Sequence, residues 1–296
     1  PRATTLVMED TTTQNALATF IGSFLFSLVG IIALSTGAYG AQGRVLLFAV
    51  TIAVVVLVVY TLLRWIDHLS KLGRVGETID RVEKAAMAAI SQRAQWPCLG
   101  AAAYPTDHAL APGAMTIESE QTGYVQHIDV LALGAIAQHD CTHIYLEVVP
   151  GTFVHEGMPL LHVVSLGTRQ DDGTQATREK ILSTLTIGNR RTFEHDPRFG
   201  LCVLSEIASR ALSPAVNDPG TAIDVIGRGV RTLTCWGKPG GSGRQTDQQC
   251  EQVFVRGLNV DDLFEDFFAP ISRDGAGVFE VDARLLKALI LSLIHI

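Results

Sequence analysis

Two uncharged apolar runs near the front of the chain constrain what it can fold into more than any other feature. No charged residue lies between positions 11 and 43, and residues 16–34 (ALATFIGSFLFSLVGIIAL) form a run 19 residues long. Directly after Arg44 comes a second run of the same length, residues 45–63 (VLLFAVTIAVVVLVVYTLL). A helix needs roughly 20 apolar residues to cross a bilayer core. The β-branched residues of the second run would suit a buried strand, but strands rarely exceed about 10 residues. In lipid only helices or closed barrels satisfy their own backbone. Two transmembrane helices are therefore expected, joined by a short turn containing Gly37, Gly40 and Gly43. A chain of 296 residues offers too little mass to bury such a hairpin in a soluble core.

Basic residues set the expected orientation. Arg64, Lys71, Arg74, Arg81 and Lys84 crowd the exit of the second run, whereas the turn holds only Arg44. The positive-inside rule then places the long C-terminal part in the cytoplasm, which predicts a multi-pass protein of the bacterial inner (plasma) membrane. Five cysteines without a CxxC pair fit a reducing compartment and exclude a disulfide scaffold or zinc ribbon. Small residues on the first run (Ala18, Gly22, Ser23, Ser27, Gly30) let helices approach closely in lipid. The bilayer and further copies of the chain are thus the expected partners. Charge argues against nucleic acid: the net charge is −7, and the acidic excess lies beyond residue 100.

The fold class expected is a membrane α-helical hairpin plus a cytoplasmic α+β region, the latter a small β-barrel or sandwich-like segment followed by a helical segment. Residues 1–13 read as a truncated N-terminal segment and residues 14–64 as the two spans. Within 65–95, Leu72, Val75, Ile79, Val82, Ala86 and Ala89 recur at alternating spacings of three and four, the seam of an amphipathic helix. Residues 96–115, with Pro97, Pro105 and Pro112, read as a linker. Residues 116–166 read as a β-rich domain: GYVQHID enters through glycine, 142–149 alternates, and turns fall at Pro150-Gly151 and Glu156-Gly157. GYVQHID and PGTFVHEGMPLLHV resemble the hairpin barrel of lipoyl and biotinyl carriers. No lysine lies between Gly123 and Leu166 to carry a prosthetic group, so no cofactor is expected. A polar loop at 169–177 precedes a helical segment at 178–290.

That helical segment holds the densest pattern. IGNRRTFEHDPRFG leads into a striped helix (Leu201, Leu204, Ala208, Ala211) stopping at Ser213-Pro214. Asn217-Asp218-Pro219 is a helix start, because Asp218 can cap and Pro219 lacks an N–H where none is needed. A further helix is expected within 253–268, capped by Asn259 or Asp261 and with Leu263, Phe264, Phe267 and Phe268 as its apolar face. Residues 291–296 (LSLIHI) match what a common sequencing adapter encodes in one frame, so they are expected to be a cloning or sequencing artefact. With Pro1 at the start, the chain is expected to be an internal fragment.

IGNRRTFEHDPRFGLCVLSEIASRALSPAVNDPGTA resembles the signature region of a bacterial membrane-protein family called domain of unknown function 2254, and GYVQHID and PGTFVHEGMPLL resemble its upstream part. The resemblance covers almost the whole chain. It implies four N-terminal membrane helices, of which the last two are present here, followed by a cytoplasmic region. It implies no mechanism.

The residues themselves leave three functional readings open. Arg190, Arg191 and Arg210 lie near Asp196, Asn217, Asp218 and Thr221 in sequence, and could hold a small anionic ligand through arginine forks and a helix N-terminus. The same residues could instead be caps and ion pairs locking two helices together. The leading expectation is a ligand- or partner-binding regulatory module coupled to the membrane helices. An oligomeric channel or transporter component is the second; neither span carries an ionisable relay. The third is a metal-dependent enzyme, in which His139, Cys141 and His143 would share one face of a strand. No nucleophile elbow, phosphate loop, HExxH or strand-linked GxGxxG is present, and no catalytic residue is assigned.

Overall fold

A computed structural model describes residues 11–36, 40–72, 75–105, 114–165, 174–237 and 250–295. The expected N-terminal segment up to residue 10, Gly37 of the expected turn, Arg74, residues 106–113 of the linker, residues 169–173 of the polar loop and the glycine-rich stretch after Gly237 lie outside the described residues. The chain divides into two compact units, Pro1–Arg81 and Val82–Ile296.

The first unit is a helical hairpin of α1 (Thr11–Ser35) and α2 (Ala41–Leu72). Within these, Thr13–Ser35 and Gln42–Asp67 are long and apolar enough to cross a membrane. Most of their large side chains, Phe24, Val45 and Phe48 among them, are exposed. An apolar surface of that extent is what lipid would cover. Hydroxyls inside the spans are satisfied by their own helix: Ser27 donates to the Ser23 carbonyl and Thr51 to that of Leu47, both at 2.8 Å.

Helix α3 (Val75–Gln95) carries the chain into the second unit. The expected seam is its buried face: Ile79, Val82, Ala86 and Ala89 are all buried, joined by Ile90 and Ala94. One charged residue off the seam is buried too. Glu83 accepts from Arg231 Nε at 2.7 Å and from Arg228 Nη1 at 2.8 Å.

The second unit is an α+β region with two sheets. Its strands are β1 (Ala101–Ala103), β2 (Met115–Glu118), β3 (Gly123–Ile128), β4 (Thr142–Leu146), β5 (Phe153–Val154), β6 (Pro159–Ser165), β7 (Leu185–Gly188) and β8 (Cys250–Val255). A mixed five-stranded sheet runs β1-β8-β4-β6-β2, and a three-stranded antiparallel sheet runs β5-β3-β7. In the first, β8 lies parallel to both β1 and β4, while β6 is antiparallel to β4 and β2. The β segment is therefore not self-contained in 116–166, because β7 and β8 return from the later part of the chain.

Helix α4 (Val130–His139) interrupts what reads in sequence as continuous β. VLALGAIAQH is rich in Leu and Ala, which favour helix over strand, and Asp129 caps it by accepting from the Ala132 amide at 2.9 Å. Leu133 and Ala137 of α4 join Ile144, Leu146, Leu161 and Val253 in one core beneath the five-stranded sheet. A short helix α5 (Thr174–Leu182) ends the polar loop.

Helices α6 (Pro197–Leu212), α7 (Pro219–Thr234), α8 (Val260–Gly275) and α9 (Phe279–His295) form the helical part. The helix expected within 253–268 starts at the first of its two expected caps. Residues 253 and 255 point inward as strand, and α8 begins behind its Asn259 cap, which accepts from the Asp261 amide at 3.1 Å. Two close approaches need glycine. A side chain on Gly200 of α6 would collide with Ala86 of α3, and one on Gly229 of α7 with the Phe267 ring of α8.

Candidate functional site

The signature arginines do not form a single pocket. Asp196 is the N-cap of α6, accepting from the amides of Arg198 and Phe199 at 3.2 Å. Its carboxylate also takes both arms of Arg191, Nε at 2.6 Å and Nη2 at 3.0 Å. Only 2% of Asp196 is exposed. The Arg191 guanidinium lies over the Phe199 ring at 5.1 Å, so this fork is built into the protein on every side. Arg198 turns the other way, to Asp262 and Asp266 of α8 at 2.6 Å each.

The remaining members lie elsewhere. Asn217, Asp218 and Thr221 stand at the far end of α6, whose 16 residues make about 24 Å of helix. There the Asp218 amide donates to the Ala211 carbonyl at 2.8 Å. Asp218 caps α7, accepting from the Thr221 amide at 3.0 Å and its hydroxyl at 2.5 Å. Those hydrogen bonds from Thr221 hold the exposed carboxyl below its usual range. Asn217 makes the tight turn before it with a positive φ of 48°. Arg190 and Arg210 are exposed. Their carbonyls, not their side chains, make the local contacts, Arg190 with Gln126 and Arg210 with Ser213, both at 2.7 Å.

His139, Cys141 and His143 are not on one strand. His139 ends α4 and pairs with Asp140 at 2.7 Å, Cys141 occupies a turn with φ 49°, and His143 lies on β4 with its ring 5.3 Å from that of Phe254. The helix displaces the alternate spacing that would have gathered them. Among the described residues no group of three His, Cys, Asp or Glu side chains is placed to hold a metal ion.

A cleft of about 310 Å³ opens instead where α3, β3, α4 and the segment before α6 meet. Arg93, Trp96, His127, Leu131, Pro150 and His195 are among its lining residues. Arg93 is 4% exposed. Among the described residues its guanidinium makes one hydrogen bond, from Nη2 to the His195 carbonyl at 3.1 Å, which leaves most of its donors unused. No carboxylate pairs with it there, because both oxygens of nearby Asp196 are held by Arg191. Burial lowers the Arg93 pKa to about 10, the Asp196 charge opposing that shift.

Apart from two carboxylates, Asp129 and Glu194, the other lining residues are neutral or apolar. The His127 and His195 rings are 4.6 Å apart. Burial pushes the His195 imidazole below its ordinary value, with His127 adding to the push and Glu194 opposing it. The first turn of α4 contributes Val130 and Leu131. Gly151, beside Pro150, has a φ of 97° and packs so close to the Asp196 carboxylate that no side chain fits there.

Sequence reasoning missed this site because Arg93 and His195 are 102 positions apart. One signal pointed to it. The apolar seam of α3 runs through Ile79, Val82, Ala86 and Ala89, and its next position, four residues on, is Arg93.

The chain is similar to two mycobacterial proteins, each 27% identical over 227 residues. They are the uncharacterized protein Rv1290c of Mycobacterium tuberculosis and the uncharacterized protein Mb1321c of Mycobacterium bovis. Each match covers 74% of this chain and 42% of the relative, so the chain spans less than half the length of the curated relatives it matches. No solved structure matches it. Residues 1–290 match the family described as predicted membrane protein (DUF2254), and the chain belongs to that family.

Proposed function

We propose that this chain is part of an integral inner-membrane protein whose cytoplasmic α+β region is a regulatory module, binding a small anionic ligand and coupled to the membrane helices. The observation that carries this reading is Arg93, a buried cation facing a cleft without a carboxylate partner among the described residues. The Asp196 charge acts on it without a hydrogen bond between them. A buried cation lacking a hydrogen-bonded carboxylate is costly, and an anion entering the cleft would supply that partner.

Coupling is supported by chain continuity. Helix α3, which follows the second candidate span in sequence, contributes Ala89, Gln92 and Arg93 to the cleft wall. Arg191 and Asp196 act as support, fixing the segment that carries His195. Arg190, Arg210, Asn217, Asp218 and Thr221 serve helix starts and surface. A cytoplasmic position rests on the basic residues after the second span, and assembly with further copies on the small-residue face of α1.

The test is thermal melting of the full chain in detergent with acetate, benzoate, sulfate and inorganic phosphate, each added separately. At least one is expected to raise the Tm of the wild type and not that of Arg93→Met. Hydrogen exchange over Val75–Gln95 should slow under the same condition. If no anion stabilises the wild type, the reading fails.

A further inference from the structure

The chemistry of the cleft wall narrows the ligand further, on the reading that the cleft is a binding site. Arg93 is the one arginine or lysine among its lining residues, which also include two carboxylates, Asp129 and Glu194. A dianion such as phosphate would gain one guanidinium and meet two like charges. A single negative charge fits the ledger better. It would lie against Arg93, whose donors suit a planar carboxylate bidentately.

Much of the remaining wall is apolar: Trp96, Leu99, Ile128, Val130, Leu131 and Pro150 all line the cleft. The volume of about 310 Å³ is roughly twice that of a cavity that holds benzene. A bare inorganic ion would leave most of this surface wet and unused. We infer that the cleft binds an amphipathic monocarboxylate, a single carboxylate group held by Arg93 with a compact apolar or aromatic body against Trp96, Leu99 and Leu131. The His127 and His195 rings, 4.6 Å apart, also line the cleft.

Trp96 provides the readout. In full-length chain carrying Trp65→Phe and Trp236→Phe, its fluorescence is titrated with benzoate, benzyl alcohol, benzylamine and inorganic phosphate. Benzoate is expected to bind at least tenfold more tightly than benzyl alcohol, consistent with a charge-assisted hydrogen bond, with benzylamine and phosphate weaker still. Because Arg93 also holds the His195 carbonyl, a variant there could disturb folding. Leu131 is 60% exposed at the start of α4, so it can be changed without disturbing the core. Both Leu131→Glu and Leu131→Lys remove an apolar contact and should weaken benzyl alcohol alike, whereas benzoate should be weakened several-fold more by Leu131→Glu than by Leu131→Lys. Equal or tighter binding of benzyl alcohol, benzylamine or phosphate overturns the monocarboxylate assignment while leaving a ligand site in place. If none of the four binds but another anion still raises the Tm, the monocarboxylate assignment alone falls. If none binds and no anion raises the Tm, the cleft reading falls with it.

Discussion

Arg93 Nη2 donates to the His195 carbonyl oxygen at 3.1 Å, tying the end of α3 to the segment that enters α6. The guanidinium is buried there beside a carboxylate that already belongs to Arg191. A side chain whose purpose was only to brace this joint would need no charge. Replacing it with an apolar residue of similar length therefore separates bracing from binding. Arg93→Met should destabilise the chain by no more than about 2 kcal/mol, since the lost hydrogen bond is partly offset by relief of a buried charge. Urea unfolding measures this; a loss above about 4 kcal/mol would mean that Arg93 is chiefly structural.

The Arg191–Asp196 fork should behave in the opposite way. Asp196→Ala leaves a largely buried guanidinium unpaired and removes the α6 cap at once. The expected cost is about 3–5 kcal/mol. Gly151→Ala, which pushes a side chain into the same carboxylate from a positive φ, should also be strongly destabilising. Asp218→Ala, at an exposed cap, should cost clearly less than either.

Helix packing gives a sign reversal. Gly→Ala within a helix usually stabilises by about 1 kcal/mol. At Gly200 the new methyl would meet Ala86 of α3, so Gly200→Ala should lower stability by about 1–3 kcal/mol. The double variant Gly200→Ala/Ala86→Gly should recover part of the loss. A stabilised single variant would mean that α3 and α6 do not pack as described.

His195 sets a pH dependence. Burial and His127 hold its folded-state pKa below the ordinary value of 6.5. The unfolded chain therefore takes up a proton more readily as the pH falls past about 6.5, and unfolding is favoured. Stability should hold above that pH and decline below it. Tm measured from pH 7.5 to 5 should fall less in His195→Gln than in the wild type.

Cysteine labelling tests the orientation. Cys141 is exposed, whereas Cys235 and Cys250 are buried. Burial raises the Cys202 thiol to about 11, the Asp266 charge adding to the rise and Arg191 opposing it. A membrane-impermeant maleimide should therefore label Cys141 first, and only in inside-out vesicles. Labelling in right-side-out vesicles would place the α+β region on the opposite side.

Local chemistry was legible in the sequence and distant pairing was not. The charge-free runs anticipated the helical hairpin. The Asp218-Pro219 start was readable because a cap and its helix are neighbours, and the seam of α3 because its period is set by the helix itself. Residues 130–137 are apolar enough to suit helix or strand by pattern alone; Leu and Ala content and the Asp129 cap favour the helix, and it packs against β4 and β8. The Asn259 cap of α8 was readable because it too adjoins its helix, whereas β8 just before it was not, because its strand character depends on partners more than 100 positions earlier. At the site, the crowding of Arg190, Arg191 and Arg210 suggested one pocket, but α6 carries its neighbours to opposite ends. The buried Arg93 was visible only as a break in an otherwise apolar stripe.

The placement of β8 between β1 and β4 carries a cost in time. The central sheet cannot close until residue 255 leaves the ribosome, long after the two apolar runs have emerged and could have entered a bilayer. Until then, the edges of β1 and β4 that later pair with β8 are unpaired and able to recruit other strands. Such late, long-range closure is slow and exposes aggregation-prone intermediates. A chain stopped short of Cys250 should thus be handed to chaperones or proteases, and membrane tethering would keep such unfinished copies crowded together on one surface.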